Sequence, residues 1–289
     1  MKKINITLES CKDLKEFIES KGTLLNEIQI AWIGQAGFIF KFRNKLLLID
    51  PYLSDYLSKK YKGQLFPHIR LMEIPISPEK ITNLDYILCS HAHSDHMDPE
   101  TISILSDSNP EVKIIIPAAE YNEAIQRGAK STQILPLNDG HLLKLEGDIE
   151  ITGIAAAHEI LRINEKGEHH YLGYIMNFNG LRIYHSGDCI PYNGLIQKLT
   201  DSKIDIALLP INGRDEYRLK NNIAGNFHPS EVLDICKSAK IENLIVHHFG
   251  MFAYNTVVEE VLESLRDLNS PEFQIIIPDI NTIYKIKKI

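Results

Sequence analysis

Apolar and polar positions along this chain fall into short, closely spaced runs, and the period of each run predicts its structure. Runs rich in Ile, Val, Phe and Tyr, bounded by turn residues, predict strands. "IQIAWIGQAGFIFKF" and "KLLLIDPYL" are such runs, joined by an "RNK" able to turn a hairpin, and "DYILCSH" follows after a longer loop. "VKIIIPA" leads into the helical "AEYNEAIQRG", and "IEITGIAAAH" predicts a strand ending in His158. "YLGYIMNFNGLRIYHSGD" predicts a hairpin around Asn179 and Gly180, a pair suited to the positive φ angles of a tight turn. Beyond it come the strand "IDIALLPING" and a helix opened by "HPSEV", where Pro229 suits the first helical position. The strand "NLIVHHFG", a helix through "VVEEVLESLRDL", and closing strands "FQIIIP" and "TIYKIKK" complete the chain.

Near the amino terminus the period changes. Leu8, Cys11, Leu14, Phe17 and Ile18 recur at helical spacing, which predicts a peripheral helix within residues 1–25. No Pro/Ser/Gly-rich linker or low-complexity tract divides the rest, so residues 1–289 read as a single domain. The order of elements is mixed α/β, with hairpins too frequent for a purely parallel sheet.

Composition narrows the function classes. The net charge of −7 gives no general field for attracting nucleic acid or an anionic membrane, so neither is expected as a partner. The start lacks the continuous apolar core of a secretory signal, and no apolar stretch approaches the ~20 residues that span a bilayer. Cys11, Cys89, Cys189 and Cys236 are dispersed, with no CxxC pair, which predicts reduced thiols and a cytoplasmic protein.

Against that plain background stands "SHAHSDHMDP", Ser90 to Pro99, directly after an apolar strand. Beyond a strand the chain can turn so that side chains from alternating positions converge on one point. Neutral imidazoles together with a carboxylate suit a borderline divalent cation such as zinc, manganese or iron(II). The competing assignment is a helix-capping turn in which Asp95 or Asp98 satisfies backbone N–H groups and the histidines are incidental. The full HxHxDH spacing of His91, His93, Asp95 and His96 favours the metal.

This turn resembles the signature of the metallo-β-lactamase fold superfamily. "LLLIDP", "AAAHE", "HSGD" and "VHHFG" extend the resemblance over nearly the whole chain in the same order. The resemblance implies an αββα sandwich, two mixed β-sheets flanked by helices, in α/β (α+β layered) class. It also implies that His91, His93 and His158 hold a first metal, Asp188 bridges, and Asp95, His96 and His248 hold a second. The late ligand could instead be His247; the His-aromatic-Gly pattern favours His248. Asp50 is expected to orient a ligand histidine through its other ring nitrogen. One or two divalent ions per chain follow, Zn or Mn first and Fe third. Stretches such as "AWIGQAGFIF", "IDIALLPINGRD" and "LIVHHFGMF" are similar to the L-ascorbate-6-phosphate lactonase family and its relatives. That finer resemblance implies a homo-oligomer.

The expected activity is metal-dependent hydrolysis, in which the cation lowers the pKa of a bound water toward about 7 and the hydroxide attacks a carbonyl. Asp188 and Asp95 are the catalytic candidates, Asp95 serving as general base if its own metal is absent. In "PINGRDEYRLKNN", Arg214 is the first candidate for holding a small anionic substrate and Asn212 the second, with His228 as a further pocket residue. The alternative for the loop is a solvated segment whose arginines pair with Asp215 and Glu216. His169 and His170 are placed on an exposed approach, and His68, His141 and His185 receive no role. Lactonase-like chemistry on a small, phosphorylated-sugar-like substrate is the first expectation. A phosphodiesterase on a small or lipid diester is the second, and a non-catalytic metal-stabilised binding protein the third.

Overall fold

The computed structural model describes residues 4–20, 22–24 and 26–289. The chain opens with β1 (Ile4–Ser10) and α1 (Leu14–Glu19), then β2 (Glu27–Trp32), β3 (Phe38–Phe42), β4 (Lys45–Ile49) and the short α2 (Tyr56–Lys60). Next come β5 (Tyr86–Leu88), α3 (Pro99–Ser108), β6 (Lys113–Pro117), α4 (Tyr121–Gln126), β7 (Ile134–Leu137), β8 (Leu142–Leu145) and β9 (Ile149–Ala155). The hairpin β10 (Leu172–Phe178) and β11 (Leu181–His185) precedes α5 (Leu195–Ser202), β12 (Ile206–Pro210), α6 (Glu216–Lys220) and α7 (Pro229–Ala239). β13 (Asn243–His247), α8 (Glu259–Asp267), β14 (Gln274–Ile276) and β15 (Thr282–Lys288) finish it.

These strands form two mixed sheets, one of eight strands in the order β1-β15-β2-β3-β4-β5-β6-β7 and one of seven in the order β14-β13-β12-β11-β10-β9-β8. Each sheet is antiparallel on one side and parallel on the other. In the first, β4 to β7 run parallel; in the second, β11 to β14 do. The parallel strands of each sheet therefore end along a common edge, where an α/β fold places its ligand sites.

Side-chain alternation builds the two cores. Phe38, Phe40 and Phe42 of β3 face the second sheet, where Phe178 stacks on Phe40 with centroids 6.0 Å apart and meets Phe42 at 5.4 Å. The intervening Ile39 turns outward and packs with Leu48, Ile87 and Ile114 beneath α1, α3 and α4. Truncating a buried phenylalanine such as Phe40 to Ala costs about 3–5 kcal/mol. Lys41, also outward, is buried at the end of α1, donating to Phe17 O at 2.7 Å and Ser20 O at 2.6 Å. There it satisfies carbonyls that the helix terminus leaves without partners.

The hairpin turn is built as its sequence demands, with φ of 49° at Asn179 and 91° at Gly180. The amino terminus departs from expectation. Ile4–Ser10 is an edge strand paired antiparallel with β15, from Ile4 opposite Lys288 to Ser10 opposite Thr282. The helix is confined to Leu14–Glu19, with the Asp13 carboxylate accepting from Lys15 N at 2.8 Å. Leu8, the first member of the supposed helical stripe, is 66% exposed. A backbone ladder offered by a strand at the far end of the sequence outweighs a local period. Residues 1–3, 21 and 25 of the expected helix lie outside the described residues. No helix among the described residues is long and apolar enough to cross a membrane.

Candidate metal centre

The chain leaves β5 at Cys89 and turns through the histidine-rich stretch before α3 begins. Backbone bonds from His96 N (3.0 Å) and Met97 N (2.8 Å) to His93 O coil the stretch, and fully buried Met97 anchors it in the outer core. Asp98 then caps α3, accepting from Glu100 N at 3.2 Å and Thr101 N at 3.3 Å, with Pro99 in the first turn. The capping role weighed against the metal thus belongs to Asp98, which frees Asp95. β11 approaches the same turn through Gly187, at φ 59°, where an added Cβ would sit 2.6 Å from Ser90 Cβ. Only glycine allows Asp188 to come that close.

Two groups of donor atoms result. Those of His91, His93, His158 and Asp188 all lie within 4.8 Å of one another, as do those of Asp95, His96 and His248. Asp188 faces both: its Oδ1 is 3.3 Å from His96 Nε2 and 3.3 Å from His248 Nε2, and its Oδ2 is 3.8 Å from His158 Nε2. His91 Nε2, His96 Nε2 and Asp188 Oδ1 are buried without hydrogen-bond partners. Buried polar atoms are ordinarily paired. A convergent set of unpaired imidazole and carboxylate donors is what a divalent cation satisfies, so the residues present fit the metal.

Asp50 and Ser90 fix which ring nitrogens face inward. Asp50 accepts from Ser90 N, from Ser90 Oγ and from His96 Nδ1, each at 2.7 Å. Ser90 has one hydroxyl hydrogen and gives it to Asp50. His91 Nδ1, 2.9 Å from Ser90 Oγ, must therefore be the donor of that pair. Both rings then turn Nε2 toward the centre. The ring of Tyr171 packs against His91 and His158, with centroids 5.2 and 5.4 Å away.

The electrostatics divide the groups. Burial pushes His91 well below the ordinary histidine range, lowers His93, and takes His158 down to about 4. Burial also opposes charge on His96, but Asp188, Asp50 and Asp95 outweigh it and hold that ring well above the usual value. His248 rises to about 9 because Asp188 and Asp95 overcome burial. Burial acts to raise the carboxyls in turn. His96 and His248 nevertheless hold Asp95 and Asp188 well below the usual range.

Of the two late histidines, the structure brings His248 to the centre. His247 lies between the sheets, its ring stacked on His185 at 4.7 Å between centroids. The polar loop after β12 behaves differently from expectation. Arg214 makes a two-pronged pair with Glu231, both bonds at 2.7 Å, and also donates to Asn226 O at 3.0 Å. Asn212 is buried, donating to Asn255 Oδ1 at 2.7 Å and accepting from Asn226 Nδ2 at 3.0 Å. His228 sits at the N-cap of α7 beside Gly213, its backbone N donating to Glu231 Oε2 at 2.8 Å. None of the three lines the cavity above the centre, and the side chains of Arg214 and Asn212 are spent on the carboxylate, carbonyl and amide partners just named. Arg218 is spent similarly, on Asp215 Oδ2 at 2.6 Å, Asn255 Oδ1 at 2.8 Å and Asn212 O at 3.0 Å.

The cavity itself holds about 730 Å³, with His93, Asp95, His158, Asp188 and His248 in its floor. Its walls bring Lys60, Tyr61, Phe66, His68, Arg127 and Tyr171, none of them assigned from sequence. Arg127 donates to Glu123 Oε1 at 2.8 Å and Met97 O at 2.6 Å, which ties it to the histidine turn. His68 stacks on Tyr61 with centroids 4.2 Å apart. Gln35, from the turn between β2 and β3, is fully buried with its Nε2 2.8 Å from Asp95 Oδ2. An amide in a Gly-bounded turn at a strand end was the available signal for it.

Comparison with known proteins bears on the family and the fold. A family model described as Beta-lactamase superfamily domain matches residues 45–249. A UPF0173 metal-dependent hydrolase of Caldivirga maquilingensis is 30% identical over 186 residues, 64% of this chain and 70% of the relative. Another, from Desulforamulus reducens, is 23% identical over 257 residues, 84% of this chain and 97% of the relative. Among solved structures, a metallo hydrolase from Ignicoccus hospitalis superposes with TM-score 0.64 at 20% identity, covering 90% of this chain and 98% of its own. An isothiocyanate hydrolase from Delia radicum gut bacteria gives TM-score 0.68 at 15% identity, covering 88% and 98%. At those identities the structural likenesses speak to the fold alone.

Proposed function

The chain belongs to the beta-lactamase superfamily and at that level is a metal-dependent hydrolase, and we propose that it acts as a lactonase on a small substrate bearing an anionic group. The observation that carries the reading is the convergence of unpaired buried donors, His91 Nε2, His96 Nε2 and Asp188 Oδ1, at the base of a cavity whose floor includes Asp188 and whose wall includes Lys60 and Arg127. His91, His93 and His158 would hold a first cation, Asp95, His96 and His248 a second, and Asp188 would face both. A bound divalent cation supplies Lewis-acid activation of water and of a carbonyl.

The chain's own side chains do the rest. Burial keeps the rings of His91 and His158 neutral at pH 7, so their lone pairs are available without loss of a proton. Asp50 and Ser90 hold two rings in one tautomer each. Asp95, ionised at neutral pH, is placed to take a proton from water when it is not itself a ligand. Lys60 and Arg127 replace Arg214 as the groups for the substrate's anion. Arg127 is the better placed, since its tie to Met97 O fixes it beside the histidine turn. The similarity to the L-ascorbate-6-phosphate lactonase family supports a lactone as the electrophile.

The test is a substrate panel on metal-reconstituted protein, containing a phosphorylated sugar lactone and bis-p-nitrophenyl phosphate. Metal-dependent opening of the lactone with little diester cleavage is the expected result, together with a raised KM in Arg127→Ala. Preference for the diester would replace the lactonase reading with a phosphodiesterase. Tight binding of the lactone without turnover would point to a binding protein.

A further inference from the structure

The donor atoms of the second group keep the spacing of atoms that share one cation. His96 Nε2 and His248 Nε2 each lie 3.3 Å from Asp188 Oδ1, and they lie 3.7 and 3.6 Å from Asp95 Oδ2. Bonds of about 2.1 Å to a common ion put neighbouring donors about 3–3.5 Å apart. One further polar atom keeps that spacing. The terminal nitrogen of Gln35 is 2.8 Å from Asp95 Oδ2 and 3.1 Å from His248 Nε2, while the other end of the same amide, Oε1, is buried with no partner at all.

We propose that Gln35 is an additional protein ligand of the second metal position, through its carboxamide oxygen. The inference rests on the metal-centre reading above and goes beyond it by adding a donor outside the HxHxDH turn and its partner strands. A half-turn of the terminal amide exchanges oxygen and nitrogen at almost unchanged positions. Which end faces inward follows from the charge it meets. Beside the Asp95 carboxylate, with no cation between them, the amide presents its N–H group and leaves its oxygen orphaned, which is the arrangement seen. Facing a cation, it presents the oxygen, a hard donor that suits manganese or iron(II) at higher coordination number.

The turn is held so that the amide stays in place. Gln35 O accepts from Trp32 Nε1 at 3.0 Å and from His248 N at 2.9 Å, and the residue adopts φ 51°. The left-handed backbone of a buried, non-glycine residue costs of order 1 kcal/mol or more, and such strain persists where its surroundings impose it. Those backbone bonds survive any change of the side chain, so the amide can be removed without dissolving the turn.

The experiment is a metal titration of the full chain after chelator treatment, with Mn(II) followed by EPR and Co(II) by visible absorption. Wild type is expected to bind in two steps. Gln35→Leu should weaken the second step at least tenfold and leave the first unchanged. The second Co(II) equivalent should also absorb more strongly, as the coordination number falls. Gln35→Glu should restore the second step or tighten it, and it carries the test alone should the leucine variant not fold. A second step unchanged or tightened in Gln35→Leu overturns the proposal. So does a weakened step with an unaltered Co(II) spectrum and no recovery in Gln35→Glu, which would confine Gln35 to steadying Asp95. Binding of a single cation by wild type overturns it as well. None of these readouts depends on turnover, so each is separable from a failure of the lactonase reading.

Discussion

The two donor groups of the centre are neighbours sharing Asp188, yet they are prepared for a cation in opposite ways. Burial keeps the rings of His91 and His158 neutral, and His93 is lowered in the same direction, so the first group waits with free lone pairs. The second group sits among Asp50, Asp95 and Asp188, whose charge pulls His96 and His248 toward the protonated state. A cation entering the first position displaces little. One entering the second must displace protons. The same residue type, a few ångströms apart, is thus set to two tasks by whether apolar burial or carboxylates dominate its surroundings.

The largest expected effect comes from removing what the groups share. Asp188→Asn takes a charged donor from both, and losing several kcal/mol of transition-state stabilisation lowers kcat by about a thousandfold. Metal analysis of the same variant should show both equivalents weakened, whereas His93→Ala should weaken the first only. The next effect separates the groups by pH. The folded pKa of His248 is raised to about 9, so the ring is protonated below that value in the metal-free protein and a cation must expel the proton. Affinity at the second position should therefore fall at least about tenfold per pH unit as pH drops from 9 to 6. Over the same range the first position should hold nearly constant, because His158 charges only near pH 4. Equal slopes for the two binding steps in a titration series would erase the distinction.

A smaller effect follows at Asp50. Asp50→Asn keeps the size but weakens the grip on His96 Nδ1, and loss of such an outer partner typically costs about 10–100-fold in metal affinity. The second step should carry most of that loss. Arg214→Gln should do least: KM for an anionic substrate unchanged and stability lowered by about 1 kcal/mol by thermal or urea unfolding, since the side chain only ties a partly exposed loop to Glu231. A raised KM with unaltered stability would return the anion site to the loop after β12.

The same contrast explains what the sequence could and could not tell. His91, His93, Asp95 and His96 are legible because one short turn carries them at fixed spacing. His158, Asp188 and His248 follow because each stands at the end of an apolar run, where a strand must deliver it to the common edge. Most strands were legible for the same reason. The wall of the cavity was not, since Tyr61, His68, Arg127 and Tyr171 come from separate loops and a helix end that only tertiary packing unites. Arg214 looks free in the sequence because its partner, Glu231, lies beyond α6, in α7. At the amino terminus the helical period held from Leu14 to Ile18, but Ile4–Ser10 was taken by pairing with Thr282–Lys288, a contact that no local pattern announces.

The most direct test of the central claim is to strip the chain with chelator, add back Mn(II) or Zn(II) in steps at pH 8, and count bound metal and lactone turnover in the same samples. No turnover is expected in the stripped protein, and activity should rise with bound metal, the first equivalent binding more tightly than the second. Full activity in metal-free protein, or a chain that takes up no divalent cation under these conditions, would contradict it.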